Sequence, residues 1–435
     1  MGLRSVLDAH PDPTRLTESV DPDAELPALA VQDAATPTIV ESVAGYPDCR
    51  VATNCIGTRS AIRRAIGTDD SLVDAMAAAM ADPAPLERDV PVAAREVATD
   101  PDVREHIPIP DFYEAYDRRY LAASVVIARD PDTGTHNLSF HRMQHLGDNA
   151  FAIRLVERHL HDIHERTDGP TPIAVAMGVH PAVELAAATS IAPEESELEL
   201  ANRLHGGQLA TGRVEGLTVP SEAEVLMIGE ITAETADEGP FVDLSRTWDR
   251  TREQPVVRVH SLMTRPDPLV RIIVPGRAEH ANLMGVPQEP RIYRIVENAV
   301  PTVENVVLTH GGCSWLHAVV AIDVRTDGDA KNAGMAALAA HPSLKRVTIV
   351  DPDVDPADSD AVEWAIATRC QPDRDVEIIQ DADGSSLDPS QDFETGTTAK
   401  WIVDATRPRG PDREASEFTK ARIPNEDEIS LEDYQ

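Results

Sequence analysis

The run Leu121-Ala122-Ala123-Ser124-Val125-Val126-Ile127-Ala128 stops at Asp130-Pro131-Asp132-Thr133-Gly134. It is followed by His136-Asn137-Leu138-Ser139-Phe140-His141-Arg142-Met143-Gln144. The first run is continuously apolar and short, which predicts a buried strand, and the Asp-Pro and Thr-Gly steps predict a turn. In the second run polar Asn137, Ser139 and His141 alternate with apolar Leu138 and Phe140, which predicts one half-buried strand over 136–144. A hairpin of this kind sets the middle of the chain apart as β-rich.

Working outward, 151–156 and 173–177 read as strands, 158–167 as a helix, and Val183-Glu184-Leu185 lies in another helix. Further β runs fall at 223–231, 256–263 and 269–274, so the region 106–300 is mostly β with inserted helices. On the N-terminal side a strand over 51–58, helices over 59–66 and 70–81, and a Pro-rich linker over 83–91 predict an α/β domain over 1–105. On the C-terminal side strands at 303–308, 318–322 and 347–350 alternate with an Ala-rich helix over 330–340. This alternation predicts a second α/β domain over 301–435, ending in a charged tail from Pro408. No internal repeat is visible.

Composition narrows the class of protein. The 435 residues carry 75 Asp+Glu against 39 Lys+Arg, a formal charge of −36. A surplus spread along the chain argues against nucleic acid or an anionic membrane as partner. It suits a halophilic, salt-rich cytoplasm where like charges are screened, and loss of salt should destabilise the chain. Cys49, Cys55, Cys313 and Cys370 follow no framework spacing, as in a reducing compartment. The start Met1-Gly2-Leu3-Arg4-Ser5 reads as neither signal peptide nor lipidation site, and no apolar run reaches membrane-spanning length. A cytoplasmic protein is expected.

Several groups could carry chemistry. Asp237-Glu238-Gly239-Pro240-Phe241-Val242-Asp243 sets two carboxylates on either side of a Gly-Pro bend, where unequal surroundings can keep one protonated and one ionised. The same stretch also reads as an acidic surface turn. Arg142 can fork a carboxylate or phosphate, and Asn137 can give a carbonyl oxygen to a hard cation, although 137–142 also fits a plain polar strand face. His159, His161 and His164 offer imidazoles, the latter two more simply on a solvated helix face. Ser196-Glu197 opens a helix with Ser196 as a plausible cap. His310-Gly311-Gly312-Cys313 with His317 invites a zinc reading but lacks a fourth ligand nearby. His205-Gly206-Gly207 lacks the Lys-Ser/Thr of a phosphate loop. Lys345, before a buried strand, could meet a phosphate or simply be solvated.

Together these stretches resemble the UbiD-like decarboxylases, prenylated-flavin enzymes that remove carboxylate from unsaturated or aromatic acids. Asn137 to Gln144 is similar to the family's Asn-x-x-x-x-Arg strand, Ser196-Glu197 to its metal-binding pair, and Glu238-Gly239-Pro240-Phe241-Val242-Asp243 to its Glu-Gly-Pro motif. Lys345 with Val347 to Val354, and Trp364-Ala365-Ile366-Ala367-Thr368-Arg369, resemble two further blocks. The match is collinear over most of the chain. It implies α/β and α+β domains, with a central split β-barrel flavin domain flanked by α/β domains, the last supporting a homo-oligomer, dimer or hexamer.

The resemblance also implies roles. Asn137, His159 and Glu197 would hold a divalent metal, manganese, bridging to the phosphate of prenylated FMN, with K+ a further candidate. Phe140, His141, Arg142, Arg158, His159 and Lys345 would line the cofactor, and a flavin prenyltransferase would supply it. Asp243, Glu238 and Arg142 would form the acid–base network, with Asp243 giving the proton that replaces carbon dioxide and Glu238 bracing Arg142. Three departures stand out: Val242 replaces the common Gly, His159 requires a one-residue gap, and the N-terminal linker is shorter and less Gly-rich. Phe241-Val242-Asp243, His141-Arg142-Met143 and Arg158-His159-Leu160 look most like the archaeal subgroup acting on anhydromevalonate phosphate in isoprenoid synthesis. A 4-hydroxybenzoate-type acid in quinone synthesis or catabolism is the alternative, and a non-catalytic flavin-binding subunit a third. A phosphorylated substrate would call for cations such as Arg265, Arg271 or Arg277 at the pocket mouth.

Overall fold

The computed structural model describes residues 2–409, 415–421 and 423. Its centre is a nine-stranded sheet, antiparallel throughout. The path runs Tyr120–Leu121, Met143–Gly147, Ala150–Ile153, Arg252–Thr264, Val225–Glu238, Thr171–Met177, Val125–Arg129 and His136–Phe140, with Arg95–Thr99 beside Arg252–Thr264. The expected hairpin is present over its second half only: Val125 faces Phe140 and Arg129 faces His136, whereas Leu121 belongs to a separate strand paired with Met143 and residues 122–124 belong to none. Asp130 Oδ1 accepts from the amides of Asp132 at 2.8 Å and Thr133 at 3.0 Å, and Gly134 takes a left-handed φ of 76°.

The single strand expected over 136–144 is two. Phe140 ends the ladder on Val125, and Met143 opens another against Ile153 and Leu121. His141 and Arg142 lie at the corner between them. Alternation runs from Asn137 to His141 and breaks there, since His141 and Arg142 are consecutive polar residues; that pair marks the corner. The two end strands share no ladder among the described residues, so the sheet is open.

Both faces of this sheet are covered. Val125, Ile127, Ala174, Ala176, Leu226 and Ile228 point to one core, shared with helices Pro181–Ala187 and Glu197–Leu204. Val126, Ala128, Ile173, Val175, Val225 and Met227 point to the other. A strand buried on both sides reads as a continuous apolar run rather than an alternating one, which is why 125–128 is so uniformly aliphatic.

The flanking parts are mixed α/β. In the N-terminal sheet the order is Thr14–Leu16, Thr38–Val40, Arg50–Thr53 and Leu269–Arg271, so the central region returns a strand to the first one. Helix Arg59–Ile66 spans the expected residues: the Thr58 side chain accepts from the Ala61 amide at 3.1 Å, and Gly67 closes it at φ 68°. The expected linker contributes a short strand, Arg88–Asp89, parallel to Ala210–Val214. The C-terminal sheet runs Val303–Leu308, His317–Ile322, Arg346–Val350, Thr397–Asp404 and Val376–Asp383. Most of the charged tail from Pro408 lies outside the described residues. The four cysteines are free. No helix among the described residues is long and apolar enough to cross a membrane.

Candidate active site

Asp237-Glu238, expected in a bend, instead ends the 14-residue strand Val225–Glu238. The bend starts at Gly239, whose φ of 104° and 2.9 Å clearance between an added Cβ and Arg250 O exclude a side chain. Its amide donates to Gln144 Oε1 at 2.8 Å. Beyond it the loop folds on itself, with Asp249 N donating to Phe241 O at 2.7 Å and Asp243 N to Thr247 O at 3.3 Å. Asp243 and Asp249 are thereby presented to the corner that carries Arg142.

Arg142 is the hub. Its Nε and Nη2 donate to Glu238 Oε1 and Oε2 at 2.8 and 3.0 Å, Nη1 to Asp243 Oδ2 at 2.9 Å, and Nη2 also to Asp249 Oδ2 at 3.1 Å. The Phe241 ring lies 4.3 Å from the guanidinium carbon, and Tyr120 packs edge-on against Phe241. Tyr120 also donates to Glu238 Oε1 at 3.0 Å. Burial opposes the charge on Arg142, but Glu238, Asp243 and Asp249 outweigh it and hold the cation above its ordinary value. Burial likewise works against Asp249, yet its bonds to Arg252 and the charge of Arg142 bring it down to about 2. The Tyr120 phenol is pushed well up by burial and by Glu238, so it remains a neutral donor. Glu238 is wholly buried, whereas the Asp243 and Asp249 side chains are 21% and 16% exposed, so both aspartates have an open approach and Glu238 does not.

A second site lies on the other side of the corner. Asn137, His159 and Glu197 line one cavity of ≈ 390 Å³. Glu197, first residue of helix Glu197–Leu204, turns inward, and Ser196 occupies the N-cap position without a side-chain cap bond. Glu197 accepts from Asn137 Nδ2 at 3.0 Å and Leu138 N at 3.1 Å. Burial pushes it up to about 7. It is a carboxylate that lacks a cation, because no cationic side chain bonds to it among the described residues. Neighbouring protons are also short. His141 Nδ1 lies 2.9 Å from Arg154 O, a carbonyl that can only accept, so Nδ1 carries the ring proton and Nε2 accepts from Ser139 Oγ at 2.9 Å. Ser139 has one proton, so Asn137 Oδ1, 3.2 Å from the same hydroxyl, is left without one. Burial holds His141 down to about 4, which keeps it neutral. An under-protonated amide oxygen, an imidazole and a buried carboxylate suit a divalent cation. Among the described residues no group of three or more His, Cys, Asp or Glu side chains is arranged for a metal, so any such site depends on the Asn137 oxygen.

Family models of the 3-octaprenyl-4-hydroxybenzoate carboxy-lyase match in series: the N-terminal domain over 5–80, the Rift-related domain over 85–278 and the C-terminal domain over 281–405. The chain belongs to the UbiD family of carboxy-lyases. Anhydromevalonate phosphate decarboxylase of Methanocaldococcus jannaschii is 48% identical over 323 residues, 73% of this chain and 76% of that one. The UbiD-class enzyme HmfF from Pelotomaculum thermopropionicum, solved with FMN, superposes with a TM-score of 0.93 at 35% identity, covering 100% of both chains. An evolved dimeric form of HmfF, solved with prFMN, superposes at 0.89 with 33% identity, also over 100% of both.

The remaining expected residues of this UbiD-family chain are spread more widely. Phe140 ends its strand half-buried on the core. Arg158 is the N-cap of helix His159–Arg166, and its guanidinium lies 6.0 Å from the Trp315 ring. Lys345 is on the C-terminal sheet, where Nζ donates to Asp388 Oδ2 at 2.8 Å. Arg271 is not at a pocket mouth: it is fully buried between Glu184 and Glu279. Arg265 pairs with Glu222 and Glu224. His317 bonds to Thr309 and Thr348, which leaves no zinc geometry at His310–Cys313. Sequence reasoning missed Tyr120, Asp249 and Arg252 altogether, and it quoted Gln144 without a role. The only trace of Asp249 and Arg252 was a charged cluster, Asp249-Arg250-Thr251-Arg252, just past the motif.

Proposed function

We propose that the chain is a prenylated-FMN-dependent decarboxylase of an α,β-unsaturated acid, anhydromevalonate phosphate, in archaeal isoprenoid synthesis. The observation that carries this reading is the fork of Arg142 with Glu238, Asp243 and Asp249, taken with the kinship to anhydromevalonate phosphate decarboxylase. Losing carbon dioxide leaves an electron pair on carbon that no side chain absorbs, and the modified flavin supplies that sink. The chain's own residues do the rest. Arg142, braced by Glu238, orients the substrate carboxylate. Asp243 accepts from the Leu244 amide at Oδ1 (2.7 Å) and from Arg142 Nη1 at Oδ2 (2.9 Å), so it is held as a carboxylate; after taking a proton from solvent it passes that proton to the vacated carbon.

In this reading Asn137, His159 and Glu197 would hold manganese, with K+ a further candidate, and the ion would supply the counter-charge that the buried Glu197 carboxylate lacks. Phe140, His141, Arg158 and Lys345 complete the cofactor surround. A split barrel formed by the curl of the central sheet holds the flavin, within domains at 1–105, 106–300 and 301–435. The exposed outer strand Val376–Asp383, with Ile378 at 66% exposure, supports a homo-oligomer through the C-terminal domain. The acidic composition supports a halophilic cytoplasm, and a flavin prenyltransferase supplies the cofactor.

The test is co-expression with a flavin prenyltransferase, an absorbance spectrum, and carbon dioxide release from anhydromevalonate phosphate and 4-hydroxybenzoate side by side. Asp243→Asn should keep the cofactor spectrum and lose about 10²-fold or more in turnover. Equal turnover or equal solvent-proton exchange would remove Asp243 from the mechanism. Glu197→Ala should lose bound manganese and most of the cofactor while the apo chain keeps its melting temperature. Undiminished metal content would exclude Glu197 as a ligand.

A further inference from the structure

A smaller cavity of ≈ 160 Å³ has Asn54, Arg246, Arg277, Ala278, Glu279 and His310 in its lining. Arg246 belongs to the Asp243 turn itself, its amide donating to Asp243 O at 2.8 Å. Its Nε donates to Gly276 O at 3.1 Å. Arg277 is the N-cap residue of helix Ala278–Gly285 and makes no side-chain cap bond. Neither guanidinium pairs with a carboxylate among the described residues. In a chain of net charge −36, two cations lining one cavity without an acid to answer them leave a positive hollow.

The one carboxylate in the lining does not cancel that charge. Glu279 is occupied by Arg271 Nη1 at 3.0 Å and by the amides of Asn54 at 2.7 Å and Ile56 at 3.0 Å. The helix that starts at Ala278 opens into the hollow and adds the positive end of its dipole. His310, placed by Asn282 at 2.7 Å, closes another side. The hollow is distinct from the Asn137–His159–Glu197 cavity, which has none of these residues in its lining.

We infer that this cavity is the subsite for the substrate's phosphomonoester, with Arg246 and Arg277 as the residues that select a phosphorylated acid over its unphosphorylated form. The inference rests on the proposed substrate and deepens it. Anhydromevalonate phosphate carries its carboxylate at one end of a short carbon chain and its phosphate at the other. Arg246 joins the cavity to the Asp243 turn, so the two ends of such a molecule would be met by adjoining elements, and the rigid forks of arginine suit phosphate oxygens.

The test uses holoenzyme and two variants: Arg277→Gln, and Arg246→Asn, chosen because Arg246 has a left-handed φ of 60° that asparagine tolerates. Each should raise KM for the phosphorylated acid about tenfold or more while kcat stays within about threefold and flavin absorbance is unchanged. Arg277→Lys, which keeps the charge, should recover part of the loss. Unchanged KM in both variants overturns the inference and leaves the substrate assignment standing. A KM rise accompanied by loss of flavin absorbance overturns it too, since the cavity would then serve the cofactor. If wild type turns over only an unphosphorylated acid, the proposed substrate fails, and a phosphorus NMR titration with inorganic phosphate decides the cavity. Binding by wild type that the double variant loses supports a phosphate site, and equal or absent binding overturns it.

Discussion

Arg142→Met should abolish decarboxylation, lowering turnover by about 10³-fold or more even with cofactor present, which corresponds to about 4 kcal/mol of lost transition-state stabilisation. The physical reason lies in what the guanidinium leaves behind. Glu238 is wholly buried, and among the described residues its oxygens accept from Arg142 and Tyr120 alone. Removing one side of a buried pair costs about 3–5 kcal/mol, and the abandoned carboxyl avoids part of that cost by taking up a proton. A protonated Glu238 cannot brace a cation, and Asp243 loses the bond that holds Oδ2 in place. Arg142→Lys separates charge from geometry: a compact ammonium restores the net charge but cannot reach Glu238, Asp243 and Asp249 in one plane. We expect it to fold like wild type and remain at least tenfold impaired. Turnover of Arg142→Met within tenfold of wild type, measured on matched cofactor content, would falsify the role of the fork.

The largest stability effect is expected at Arg271, where Arg271→Met should destabilise the chain by about 3–5 kcal/mol. The side chain is fully buried, with Nε 3.0 Å from Glu184 Oε1 and Nη1 3.0 Å from Glu279 Oε2, and Nη1 also donates to Ile272 O at 3.0 Å. It ties a strand of the N-terminal sheet to helices Pro181–Ala187 and Ala278–Gly285. Two carboxylates share one cation there. Burial raises Glu184 in spite of Arg271, so the cluster already carries one carboxyl inclined to keep its proton. Without Arg271 Glu184 loses its cation, and Glu279 keeps only neutral partners such as the Asn54 and Ile56 amides, whereas Arg271→Met combined with Glu184→Leu removes the stranded acid and should recover part of the loss. Chemical denaturation at constant high salt is the measurement. A midpoint for Arg271→Met equal to that of wild type would show that the triad contributes nothing to stability.

What could be read locally was read well. Helix 59–66 has a Thr58 cap and a Gly67 stop adjacent in sequence, and the 125–140 hairpin has its turn residues between its strands, so each element carries its own boundary signals. The reading went wrong where a boundary is set by a distant neighbour. His136 to Gln144 reads as one strand because polar and apolar residues alternate from Asn137 to His141, yet the pattern breaks at the polar pair His141-Arg142, and Phe140 and Met143 pair with different partners. Glu238 reads as part of a turn because Gly239-Pro240 follow, but its strand is carried to that point by the pairing of Glu238 with Arg252. Arg271 reads as a candidate cation for a pocket mouth because charge is normally solvated, but the convergence of Glu184 and Glu279 pairs it inside the fold.

Contiguous motifs in the chain were enough to place it in its family and to predict a mixed α/β multidomain fold, and they singled out Asn137, Arg142, Glu197, Glu238 and Asp243 as candidates. Tertiary structure alone decided that Arg142 meets Glu238, Asp243 and Asp249 at once, across separations of 96, 101 and 107 residues. It also decided that Arg246 and Arg277 share a cavity while Arg271 does not. Hydrogen bonds at such separations depend on where the sheet turns its corner at His141–Arg142. The polar pair marks that corner, but the pairing of whole strands decides which elements meet there.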